Sequence, residues 1–223
     1  MSRMIASLRW WVHRCVGFAF DALHGVETSA IVPSGSLGVT SRNRDCGVPY
    51  DPSPWRILHR SLRLTGIPAP DGFTFVDIGC GKGKVVLSAM TFPFKKVIGI
   101  EFSPYLCEIA RRNLYSARLM RKSCRDAEIM CMDAADWKPP NEPLMLFFYN
   151  PFHAKVMADV ARNLVMSYSR NPRSLFFLFF QSASSGEILE RALAETNHGP
   201  ELRLTSGRFG NSSVSVYCLG SRP

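Results

Sequence analysis

The stretch Phe75-Val76-Asp77-Ile78-Gly79-Cys80-Gly81-Lys82-Gly83 decides the fold. An apolar run breaks into three glycines on alternate positions. The run predicts a buried strand over 73–78, and the residues after the glycines, 82–92, predict a helix. Glycine between strand and helix lets the backbone turn tightly and come close to a ligand. In open α/β sheets ligands bind beyond the carboxyl ends of the strands, near the point where the strand order reverses. The spacing is not that of a dinucleotide fingerprint, which needs G-x-G-x-x-G. Here the third glycine arrives one residue early and Lys84 takes its place.

Outward from this turn, strand and helix alternate. Strands are expected at 96–101, 128–132, 144–149 and 175–180, and helices at 104–122, 153–168 and 186–195. Ser103 followed by Pro104 is a helix start. The run from Leu175 to Phe180 is apolar on both faces, which suits only a strand covered on both sides. Strands at 202–205 and 213–219 flank a turn-prone segment, 207–211, and lie too close for a crossover helix. At least one of them must run antiparallel. The fold class is therefore α/β, a Rossmann-like seven-stranded, mostly parallel sheet with a reversed terminal strand and helices on both faces. It is expected to occupy residues 71–223, with 1–70 as a helical and loop extension over the ligand cleft.

Within that extension, Ile5, Leu8, Val12, Cys15, Val16, Ala19 and Leu23 recur at helical steps, and this stripe is expected to pack on the domain. Trp10 and Trp11 beside arginines leave membrane-surface docking open, and the Arg-rich, acid-free start also resembles a transit peptide. A second helix is expected at 53–65, capped by Ser53, entered through Pro54 and stopped by Gly66.

Composition excludes several classes. The chain has 223 residues, of which 46% are hydrophobic and 20% charged, so it is globular and long enough to bury a core. Its seven cysteines are scattered with no CxxC pair, which argues against a zinc cluster or disulfide framework and for a reducing, cytoplasmic location. No metal-ligand constellation is visible, and no apolar run reaches the length of a transmembrane span. The net charge of +9 permits an anionic partner without requiring one. Arg111, Arg118, Lys122 and Arg125 fall at helical steps; a solvated face accounts for them, and a nucleic acid or phospholipid headgroup is the alternative.

The predicted strand ends carry the chemistry. Glu101 closes the second strand, Asp133 follows the third, and Asn150-Pro151-Phe152-His153 follows the fourth. A carboxylate accepts two hydrogen bonds from a ribose diol, or one from the exocyclic amine of a base. With Asp77-x-Gly79-x-Gly81-x-Gly83 these residues resemble the class I S-adenosylmethionine-dependent methyltransferases, over about residues 71–223. The resemblance implies S-adenosyl-L-methionine as cofactor. It implies that the turn of Gly79, Cys80, Gly81 and Gly83 packs on the methionine part and that Asp77 helps hold its amino group. It further implies that Glu101 binds the ribose hydroxyls, Phe102 lies on the adenine, and Asp133 and the Ala134 amide meet the adenine edge.

Asn150-Pro151-Phe152 is similar to the (Asn/Asp)-Pro-Pro-(Tyr/Phe) motif of amino-group methyltransferases. It lacks the second proline, so Phe152 comes one residue early and His153 follows. The likeness implies a nitrogen acceptor oriented by Asn150, Pro151 and Phe152; the alternative is that Asn150 merely closes the strand end over the cofactor. His153 or His24 is the candidate base, because histidine titrates near neutral pH. Asp21, His24, Glu27, Thr28 and Tyr50 resemble the N-terminal segment of a bacterial branch of the superfamily, which implies lid or substrate contacts; turn chemistry accounts for them equally. The expected function is methylation of a nitrogen on a small molecule or protein side chain. The alternatives are an RNA or DNA base methyltransferase and a non-catalytic, methyltransferase-like partner subunit. The acceptor and the oligomeric state are not legible.

Overall fold

The computed structural model describes residues 2–39, 43, 49–117, 120–149, 154–180, 183–195, 203–209 and 212–220. Seven strands form one sheet: β1 (Thr74–Ile78), β2 (Lys96–Glu101), β3 (Ala127–Cys131), β4 (Leu144–Tyr149), β5 (Leu175–Phe180), β6 (Arg203–Phe209) and β7 (Ser212–Leu219). Their order is β3-β2-β1-β4-β5-β7-β6. The first five run parallel, and β7 lies antiparallel between β5 and β6. The order reverses direction between β1 and β4, so the mouth of the cleft lies at the end of β1.

Helices α1 (Ser2–His24), α2 (Ile57–Thr65), α3 (Lys84–Ala89), α4 (Pro104–Ser116), α5 (Ala154–Arg170) and α6 (Ala183–Ala194) accompany the sheet. Side chains alternate between two core layers. Phe75, Phe147, Phe176 and Leu178 lie in one with α2 and α3. Val76, Ile78, Phe148, Phe177 and Phe179 lie in the other with α5 and α6. All six residues of β5 are buried, as its two-sided apolar run requires. Burial of each such phenylalanine contributes about 1.5–3 kcal/mol.

Four local expectations are corrected. Helix α2 starts at Ile57 after Arg56, with no side-chain cap, while Ser53 is buried upstream; Gly66 does end it, in the left-handed region at φ 72°. Strand β6 runs on through Gly207 to Phe209, so the turn is shorter than 207–211. Helix α4 stops at Ser116, because Met120 and Cys124 turn inward to the core and the amides of Ser123 and Cys124 both donate to the Met90 carbonyl. Lys122 and Arg125 therefore lie on the connection to β3, and Arg118 lies outside the described residues.

The fourth correction concerns α1. Its Gly17 and Asp21 face the domain, while Val12, Cys15, Val16, Ala19 and Leu23 face solvent. Gly17 allows this close approach, since a Cβ there would fall 2.7 Å from Ser29 Oγ. Phe20, which lies off the apolar stripe, packs on the core and on Trp55 with ring centroids 4.1 Å apart, while Asp21 ties the helix to the loop that follows it. Asp21 accepts from the Thr28 amide at 2.7 Å, the Ser29 amide at 2.8 Å and the Thr28 hydroxyl at 2.5 Å.

Candidate active site

The ends of β1 and β2 meet at the glycine turn. Gly79, Gly81 and Gly83 all have positive φ, at 80°, 54° and 80°. The amides of Gly79 and Cys80 donate to the Ile100 carbonyl on β2, which pins the turn against the neighbouring strand. Inside it, the Cys80 thiol is buried against Gly99, where a Cβ would fall 2.8 Å from Cys80 Sγ. Burial raises the thiol pKa well above its ordinary value, so Cys80 acts there as a small apolar group.

Glu101 is buried at the tip of β2. Its Oε2 accepts from the Gly81 amide and its Oε1 from the Ser103 amide, both at 2.9 Å. Burial raises its pKa, and the backbone donors oppose that rise. Asp77 lies beneath the turn, also buried. Desolvation, helped by the charge of Glu101, pushes its pKa up to about 8. Both buried acids thus lie beside the glycines, and the charge of Glu101 bears on Asp77.

Asp133 caps the short 3-10 turn Ala134–Asp136 by accepting from the Ala135 amide at 3.0 Å. Its Oδ2 accepts from the Asn43 side-chain amide at 2.9 Å. That donor is an sp² N–H, the same kind of group an adenine amine presents. Ala134 is buried beside Asp133. Next to this corner a cavity of about 370 Å³ is lined by Asn43, Ala135, Lys155, Asp159, Arg162 and Asn163.

The N-terminal segment closes over the turn. Tyr50 bridges in strand fashion to Val32, and its hydroxyl donates to the Thr28 carbonyl at 2.6 Å. The ring rests on Gly81, where a Cβ would fall 2.3 Å from Cε2. Phe102 packs with Tyr50 and Val39 on a small cluster of Val32, Leu37 and Leu106. The Ser103 hydroxyl, the cap of α4, donates to the Leu37 carbonyl at 2.5 Å. Glu27 reaches the buried Lys82 ammonium at 2.6 Å. The His24 ring packs against Phe20 at a tilt of 52°, with centroids 4.5 Å apart.

Of the sequence candidates, Asp77, Gly79, Cys80, Gly81, Gly83, Glu101, Phe102 and Tyr50 therefore cluster at the turn. Asp133 and Ala134 lie at the β3 corner, and Asp21, Glu27 and Thr28 belong to the seam that holds the N-terminal segment. Asn150, Pro151, Phe152 and His153 lie outside the described residues. Sequence reading missed Asn113, Asn43 and Lys82. Asn113 on α4 donates to the carbonyls of Glu27 at 3.0 Å and Lys82 at 2.8 Å, and accepts from the Glu27 amide at 2.8 Å. It follows the buried Leu106 and Ala110 at helical spacing, so a polar residue on an apolar face was the available signal. Lys82 stood unremarked between two glycines, and Asn43 carried no signal at all.

Residues 75–170 match the family model described as a methyltransferase domain. No curated protein matches the chain. Among solved structures, a predicted N6-adenine-specific DNA methylase from Listeria monocytogenes is 14% identical, with a TM-score of 0.55 over 76% of this chain and 52% of that one. The chain thus spans about half the length of that protein. The human methyltransferase 10 domain containing protein is 12% identical, with a TM-score of 0.52 over 83% and 91% of the two chains. Magnesium protoporphyrin IX methyltransferase from Synechocystis, solved with S-adenosylmethionine bound, is 13% identical, with a TM-score of 0.50 over 73% and 77%. Residues 75–170 thus carry a methyltransferase domain, and the chain shares the fold of S-adenosylmethionine-dependent methyltransferases. S-adenosylmethionine is the cofactor bound in the Synechocystis structure.

The residues present fit that cofactor. Three positive-φ glycines leave the backbone of the turn uncovered by side chains of its own, and Glu101 and Asp133 offer acceptors at adjacent strand ends. Among the described residues no cluster of His, Cys, Asp and Glu could hold a metal ion, and no helix is long and apolar enough to cross a membrane.

Proposed function

We propose that the chain methylates a nitrogen atom of a small molecule or a protein side chain. The observation that supports this reading is the position of Asn150-Pro151-Phe152. It follows β4 immediately, and β4 is the hydrogen-bonded neighbour of β1, which leads into the glycine turn. An amine held there would lie beside the cofactor's methyl group. Bound S-adenosylmethionine supplies an electrophilic methyl, so the chain's part is orientation and exclusion of water. In this reading the glycine turn and Asp77 hold the methionine part, Glu101 the ribose and Asp133 with Ala134 the adenine edge, while Phe102 lies on the ring. Asn150 and the carbonyl of Pro151 accept N–H bonds from the acceptor and aim its lone pair. Phe152 stacks on it, and His153 takes the proton of a cationic amine.

The same reading divides the chain into a catalytic domain, 71–223, and an extension, 1–70, whose Asp21, His24, Glu27, Thr28 and Tyr50 shape the lid. A second reading is methylation of an RNA or DNA base. It draws on the exposed Arg112, Arg121 and Arg125 at and beyond the end of α4. Transfer of labelled methyl groups to pools of small amines, proteins and nucleic acids separates the two. Label in amines or protein, lost in Asn150→Ala with cofactor affinity retained, supports nitrogen transfer off nucleic acid. Label confined to RNA or DNA overturns it.

A further inference from the structure

Helix α1 carries its apolar side outward. Trp11, Val12, Cys15, Val16, Phe18, Ala19, Ala22 and Leu23 are all exposed, and at 3.6 residues per turn they occupy roughly half of the helix circumference. Trp11 is 60% exposed and Leu23 63%. No charged residue interrupts this face among the described residues. Such a continuous apolar surface is uncommon on a protein that meets only water.

The helix's own charge is almost all of one sign. The helix sequence contains Arg3, Arg9 and Arg14 and a single acid, Asp21, which is buried and tied to Thr28 and Ser29. The Arg14 guanidinium lies 5.4 Å from the Phe18 ring centroid, at the border of the apolar face. The whole chain carries +9. A helix that is apolar on one side, edged by arginine and bearing tryptophan has the make-up of one that lies in a membrane interface. It is 23 residues long, yet among the described residues no helix is apolar enough to cross. A second copy is a poorer occupant. Two-fold pairing brings the same surface to itself, and this helix offers its partner's arginines no exposed acid.

We propose that α1 docks the protein on an anionic lipid surface, with Trp11, Val12, Val16, Phe18 and Leu23 immersed and Arg14 at the headgroups. The contacts of Gly17 with Ser29 and Lys84 and of Phe20 with the core then hold the domain against the bilayer while its fold stays intact. Anionic lipid attracts each basic residue near the surface, and salt screens that attraction.

The test is co-sedimentation of the full chain with vesicles of phosphatidylcholine containing phosphatidylglycerol, and with phosphatidylcholine alone. The expected result is binding to the anionic vesicles that weakens at least tenfold on the neutral ones and falls with added salt. The double variant Val12→Asp/Val16→Asp, at two exposed positions, should lose vesicle binding while its Tm and its affinity for S-adenosylmethionine stay unchanged. Absence of binding by a folded wild-type chain overturns the proposal. Undiminished vesicle binding by the double variant does so as well. A dimer in sedimentation velocity that the same double variant dissociates would make a second copy the occupant and also overturn it.

Discussion

The ring of Tyr50 rests on Gly81 so closely that a methyl group there would fall 2.3 Å from Cε2 and 2.4 Å from Cδ2. One contact thus joins the N-terminal segment to the turn expected to hold the cofactor. It links two parts of the chain that no local pattern connects.

Gly81→Ala should therefore fail twice. The residue adopts φ 54°, and the new methyl meets a ring held by its bond to Thr28. The left-handed strain alone costs about 1–2 kcal/mol. A lower Tm and at least tenfold weaker S-adenosylmethionine binding are expected. Tyr50→Ala in the same chain should recover part of the Tm, because it removes the clash and leaves only the strain. Thermal unfolding of the single and double variants checks this, and equal Tm values would refute the contact.

Stability should fall as pH rises. Asp77 has its pKa raised from 3.8 to about 8 by burial and by Glu101, so the native state holds a proton that the unfolded chain releases. The contribution is complete below about pH 4, declines across the window up to about 8, and is lost above it. Glu101, also raised, adds a decline of the same sign. Denaturant midpoints from pH 5 to 8 should drop in the wild type and drop less in Asp77→Asn. An identical slope in the variant would show that Asp77 is not the titrating group.

Lys82 and Glu27 form an unequal pair. The lysine side chain is 1% exposed and the glutamate 52%. Glu27→Ala strands a buried ammonium, whereas Lys82→Met removes the buried charge and leaves the acid in water. The first should cost about 1–2 kcal/mol, less than for a fully buried pair, and the second markedly less. Urea unfolding of both variants measures the order, and the reverse order would contradict the burial of Lys82.

Asn43 donates to Asp133 where a base amine is expected to bind. Asn43→Ala should leave S-adenosylmethionine affinity unchanged or raise it up to about tenfold, since the cofactor then no longer competes with the Asn43 amide. Adenosine without the methionine part should show the same trend. A large loss in both would mean that Asn43 holds the cofactor instead of yielding to it.

Much of the fold is legible in the sequence because each element is locally consistent. Leu144–Tyr149 and Leu175–Phe180 are apolar runs with one possible state, and Ser103-Pro104 starts α4 by side-chain chemistry alone. Where tertiary contacts override local pattern, the reading fails. The stripe of α1 reads as a buried face, yet Gly17 and Phe20 face the domain instead, through close backbone approach and packing on the core, and Asp21 ties the helix to the loop that follows it. Helix α4 ends early because Met120 and Cys124 are drawn into the core. Glu101 and Asp133 can be placed at strand ends from alternation alone. The roles of Asn113 and Asn43 depend on partners 86 and 90 residues away, which no local period encodes.

The most direct measurement is calorimetric titration of the full chain with S-adenosylmethionine and S-adenosylhomocysteine, with NAD as control and Glu101→Ala as the paired variant. The account predicts micromolar binding of both sulfur ligands and none of NAD. It also predicts at least a tenfold loss, about 1.4 kcal/mol, in the variant. A folded wild-type chain that binds neither sulfur ligand, or an Ala variant that binds them with unchanged affinity, would contradict it.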